Sequence, residues 1–187
     1  MTRDLRDIPR SWWGKCAVAG LIGGVVMAGF LMLSFGMQGH GYWTPINAIG
    51  ATLPGYRPPS SLATIPVDFG GASVAGLVIH LIVSALWGLA YGVIIAAYVP
   101  RRIRSFAWET LYAIGWGAML WVFSGLRLFT QGLAPILVQV LSPTWEFFVA
   151  HLLYALTTAW VLAAWTRRRE FSIVFAREEA PVTTLHR

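Results

Sequence analysis

Two histidines set inside apolar stretches are the residues of this sequence best placed to do chemistry. His80 lies in GLVIHLIVSALWGLAYG and His151 in VAHLLYALT. An imidazole in such a place can ligate a metal or haem, hydrogen-bond, or titrate. A titratable side chain inside a membrane helix is a functional-site hypothesis by default. Around His80 the residues Gly76, His80, Ser84, Gly88 and Gly92 recur four apart. That interval keeps them on one slowly drifting helix face. His151 heads Ala155, Ala159 and Ala163 at the same interval. Each imidazole therefore tops a nearly bare stripe of backbone, against which a second helix or a flat ligand can lie closely.

Three chemistries follow. In the first, His80 and His151 are axial ligands of a b-type haem, or contact a quinone, with Arg57 or Arg127 meeting the propionates. Ligands to one iron must lie level. Counting back from Arg101 and Arg167 puts His80 roughly 31 Å and His151 roughly 24 Å from the inner arginines. In the second, His40 joins the pair as a copper or zinc site of three imidazoles. In the third, each ring is neutral and hydrogen-bonded across a helix interface to a hydroxyl or carbonyl, with Ser84, Thr157 and Ser124 as candidate partners, and it serves packing.

The residues that are missing narrow the choice. Cys16 is the one cysteine, so no intramolecular disulfide, C-x-x-C-H haem attachment or paired-thiolate metal site can form, and a small packing role suits it. Met27, Met32 and Met37 suit gap-filling more than a thioether copper relay. No carboxylate lies deep in an apolar stretch: Glu109 and Glu146 sit at opposite interfaces, each near the start of its own stretch, and Asp68 is in a loop. Ion-coupled transporters need intramembrane carboxylates or helices broken at mid-depth, so a small transporter is the remotest class. No nucleophile–base pair or phosphate-binding glycine loop is present, and the chain reads as no enzyme.

The elements that must position these residues are membrane helices. Of 187 residues, 57% are hydrophobic and 12% charged, with mean hydropathy +0.62. Soluble domains carry about a quarter charged residues. The pattern predicts an all-α chain of one transmembrane domain, with four spans at about 13–37, 74–99, 108–126 and 143–166. A basic start and an apolar run imitate a signal peptide, but the run is too long and lacks a cleavage motif, so it reads as a retained span. The first span has its own small-residue stripe in Gly20, Gly24, Ala28 and Gly36. Arg3, Arg6, Arg10 and Lys15, then Arg101, Arg102 and Arg104, then Arg167, Arg168 and Arg169 mark the inner ends. This bias places both termini in the cytoplasm of a bacterial inner membrane. Trp12, Trp13, Trp108 and Trp165 fall at the inner face, and Trp43 and Trp145 at the outer. The net charge of +6 has no soluble face to carry nucleic acid.

An outer loop at 38–73 has room for a short interfacial helix over PINAIGATL, with Thr44 as N-cap, Pro45 first in the helix, and Pro54 and Gly55 ending it. TQGLAPILVQVL suits a second interfacial helix, and Ser142 with Pro143 reads as the cap of the last span, Glu146 lying in its first turn. The cytoplasmic tail 167–187 is too short to fold alone.

The run Gly76, His80, Ser84 and Gly88, with Trp43, Thr44 and Pro45 before it, resembles one found in small four-span bacterial inner-membrane proteins of unknown function. The resemblance implies a fold and no chemistry. Stripes on several spans offer more close-packing surface than one bundle needs, with Gly20, Gly24, Gly76, Ser84, Gly88, Gly92, Ala155 and Ala159 as packing positions. The expectation is a non-catalytic accessory or scaffold subunit of a larger energy-transducing complex, respiratory or photosynthetic. Other membrane subunits and lipids are its partners, with no soluble substrate. The electron carrier on His80 and His151 is the alternative.

Overall fold

In a computed structural model the described residues are 9–53, 62–99, 105–125 and 145–178. Among them every regular element is helical: α1 (Arg10–Met37), α2 (Thr44–Gly50), a 3-10 turn (Leu62–Thr64), α3 (Gly71–Tyr98), α4 (Phe106–Gly125) and α5 (Trp145–Glu178). Three stretches are long and apolar enough to cross a membrane: Arg10–Met37, Gly71–Ile95 and Trp145–Thr166. The fourth expected span, α4, has 20 residues but is not among these three. It carries Glu109 in its first turn and three glycines and three tryptophans along its length.

Helix ends follow local chemistry. After α1, Gly39 takes φ +79, which costs glycine no Cβ clash. His40 N–H then reaches Phe35 O at 3.0 Å and Gly39 N–H reaches Gly36 O at 3.1 Å, a Schellman closure of orphan carbonyls. At the start of α3, Gly70 N–H donates to Ser73 Oγ at 3.0 Å. Its end is set by Val99, held extended before Pro100, as the residue preceding proline prefers.

The long helices pack around α1, which touches both α3 and α5, while α4 lies against α5. One expectation for the loop after α1 changes: Thr44 is the first helical residue rather than the cap, and its hydroxyl donates to the His40 carbonyl. The short helix expected there forms as α2. Thr44, Pro45, Ile46, Asn47, Ala48 and Gly50 are buried, and the helix packs on α3. The reason is glycine. A Cβ on Gly50 would sit 2.7 Å from the Ala72 carbonyl carbon, and one on Gly76 3.0 Å from that of Ile46. Without those atoms, the two backbones close on each other.

The last span differs too. The helix does not stop at the arginine triplet but continues to Glu178, so most of the expected tail begins as helix. The second outer segment, the Ser142–Pro143 cap, Pro54, Gly55, Arg57 and Arg127 lie outside the described residues.

Candidate functional site: the seams around His80 and His151

The α1–α3 seam is built at backbone distance. A Cβ on Gly20 would lie 2.8 Å from Gly88 Cα, and one on Gly88 2.6 Å from Gly20 Cα. Such approach suits lipid, where helices gain from van der Waals packing rather than from hiding apolar surface. One turn toward the C-terminal end of α1, Gly24 faces Ser84, whose own Cβ would be 2.6 Å from an added Cβ. One turn toward the C-terminal end of α3, Gly92 faces Cys16, and its carbonyl accepts from Trp12 Nε1 at 3.3 Å. Gly76 belongs to a different contact, the one with α2.

His80 completes this seam. It is buried, with Nε2 2.9 Å from Gly24 O. A carbonyl only accepts, so Nε2 carries the proton and, in the neutral ring, Nδ1 is bare. Ser84 does not serve His80's ring as expected; its hydroxyl donates at 2.7 Å to the His80 backbone carbonyl.

His151 is buried in the α4–α5 seam instead. Its Nδ1 donates to Phe147 O at 2.7 Å, and Nε2 lies 3.2 Å from Ser124 Oγ on α4. The proton therefore rests on Nδ1, the opposite tautomer to His80. Ser124 is the expected hydroxyl; Thr157 is not used here.

The two histidines are closer in height than the arginine count suggests. On α1, Gly24 meets His80 and Ser84, and adjacent Gly23 meets Tyr154 and Thr158, which puts both imidazoles within about one turn of each other. They nevertheless face different neighbours, α1 and α4. Axial ligation of one iron by both would require His80 to surrender Gly24 and change tautomer, and His151 to surrender Ser124. The rings as arranged do not fit a shared haem.

Nor does His40 join them. It stands exposed on the turn after α1, beside the Phe35 ring. Among the described residues, no three His, Cys, Asp or Glu side chains come together to hold a metal ion. Met27 is buried while Met37 is largely exposed, so the methionines do not converge.

Ala155 and Ala159 are buried on α5, but polar neighbours on that helix do what the alanine stripe did not announce. Tyr154 Oη donates to Ser84 O at 2.7 Å, joining α5 to α3. Thr158 Oγ1 donates at 2.8 Å to Tyr154 O and packs where a Cβ on Gly23 would lie. Tyr154 and Thr158 sit four apart in an apolar span, the signal that could have found them.

Between α1 and α3, fully buried Asn47 ties the loop together. Its amide donates to Pro66 O at 2.6 Å and Asp68 O at 3.0 Å, and its oxygen accepts from Ser73 Oγ at 2.5 Å. Gln38 Nε2 donates to buried Glu146 at 2.8 Å, tying the end of α1 to the start of α5. What this arrangement can do chemically is hold helices in register.

No family model, curated protein or solved structure matches the chain.

Proposed function

We propose that the chain is a four-span, multi-pass protein of the bacterial inner membrane with both termini cytoplasmic. In this reading it is a non-catalytic accessory or scaffold subunit of a larger energy-transducing complex, respiratory or photosynthetic. The observation that carries the reading is how the intramembrane histidines are used: each bonds a neighbouring helix, His80 to Gly24 and His151 to Ser124. Groups spent on structure are not free for turnover. The count of four treats α4 as a span because it packs along α5 and, at 20 residues, is about 30 Å long, the thickness of the hydrocarbon core. The outward faces supply the partner surface. Gly29 on α1 and Gly115 on α4 meet nothing within 4 Å, amid exposed Val25, Val26, Leu33, Leu111, Ile114 and Met119.

The test is extraction of the full chain from its own membrane in a mild detergent, followed by native electrophoresis. The expected result is migration in a particle several times its 20.6 kDa, with other integral membrane chains present. A lone monomer overturns the reading.

A further inference from the structure

Among the described residues, two buried side-chain polar atoms have no hydrogen-bond partner: the indole nitrogens of Trp116 and Trp121, both on α4. A buried indole N–H usually finds an acceptor. Trp116 is only 8% exposed and lies ten residues into α4, about 15 Å along it and so near mid-depth if α4 crosses the membrane. Lipid ester carbonyls lie at the edges of the hydrocarbon core and do not reach there.

The surroundings of Trp116 differ from the other seams. No backbone-close packing joins α3 to α4 as it joins α3 to α1. Rings span the gap: Trp116 meets Trp87 edge-on at 5.9 Å and Tyr91 at 5.8 Å, and Trp87 meets Phe123 edge-on at 5.6 Å. Side-chain rotation parts such rings without breaking a backbone contact. α3 also exposes Val83, Leu86 and Ile94, an apolar edge past which a membrane-dissolved molecule would enter.

We infer that the α3–α4 joint binds a flat, membrane-dissolved molecule with a carbonyl acceptor, of the quinone class, whose ring slots among Trp87, Trp116 and Phe123 and whose oxygen takes the Trp116 indole N–H. The inference rests on α4 being a span and not on the accessory role. It differs from a quinone at His80 and His151, since neither histidine takes part.

The test uses the full chain in phosphatidylcholine nanodiscs, titrated with a short-chain benzoquinone carrying carbon-13 at its carbonyls. The label separates its infrared band from the lipid esters. Wild type is expected to show saturable uptake above empty discs and a labelled carbonyl band moved to lower wavenumber. Trp116→Phe weakens binding about tenfold and abolishes the band shift. Trp121→Phe, whose ring packs on Phe148 of α5 at 5.2 Å, keeps both. Movement of the Trp116 indole proton resonance on titration of wild type gives the same answer without relying on a variant's folding. Uptake no greater than in empty discs, an unchanged Trp116→Phe, or a shift confined to the lipid ester band overturns the inference. None of these depends on whether the chain extracts alone or in a complex.

Discussion

Tyr154 on α5 gives its hydroxyl proton to the backbone carbonyl of Ser84 on α3, between residues 70 positions apart. That same carbonyl, with Gly88 one turn on, lies against Gly20 of α1. One phenol thus braces the helix that α1 also grips, and α1, α3 and α5 become a triangle. Tyr154→Phe keeps the ring and removes the brace. The expected cost is about 0.6 kcal/mol, the average for interhelical hydrogen bonds in a membrane protein. Reversible unfolding in mixed micelles measures it; a variant as stable as wild type would show the bond to be idle.

Glycine identity matters at Gly88 and not at Gly29. A side chain at Gly88 would strike Gly20 Cα and the Cys16 carbonyl, whereas one at Gly29 meets open space. Gly88→Val is expected to lose about 1–3 kcal/mol or more, the scale of overpacking. Gly29→Val should stay within about 0.5 kcal/mol of wild type in an isolated bundle. Equal effects at both positions would refute the backbone-close seam.

Asn47 carries the loop between α1 and α3. Removing its amide takes the acceptor from buried Ser73, at about 1–3 kcal/mol, and the donor from the carbonyls of Pro66 and Asp68, whose residues are exposed. Asn47→Ala should raise amide exchange at 44–53 and 66–73 while the interior of α5 keeps its protection. Asn47→Asp, which retains the oxygen and lacks the donor, should behave like alanine. Exchange spread evenly over the whole chain would contradict a local clamp.

The histidines make a spectroscopic prediction. With His80 bonded to Gly24 and His151 to Ser124, the purified chain should show no Soret band, and His80→Ala and His151→Ala should each loosen a seam by about 1 kcal/mol. A Soret band lost in both variants would mean that the rings turn from those partners to an iron.

Much of this was legible before any coordinates. The four-residue interval through Gly76, His80, Ser84 and Gly88 marks a helix face by geometry alone, and long apolar runs mark the helices. What periodicity could not supply was the partner of each face. Gly76 shares a stripe with Gly88, yet one meets α2 and the other α1, because the stripe is longer than either contact. Of the three hydroxyls considered for the two histidines, Ser124 on the adjacent α4 is the one that lies against an imidazole, that of His151. His80 instead found a bare carbonyl, an acceptor every residue possesses and no sequence pattern singles out. Thr44 looked like a cap because of Pro45, but a hydroxyl that reaches back to His40 is equally content inside the first turn. The burial of α2 was hidden for a similar reason, since it depends on two glycines 26 residues apart, Gly50 and Gly76, meeting in space.

The length of α5 has a mechanical meaning. A continuous helix of 34 residues is about 51 Å long, far more than the roughly 30 Å of hydrocarbon it needs to cross. From Trp145 to Glu178 it is one rod, gripped near one end by Gln38 and in its middle by α1 and α4. Torque applied past Thr166 would therefore be carried along one continuous helix to the seam where His151 meets Ser124.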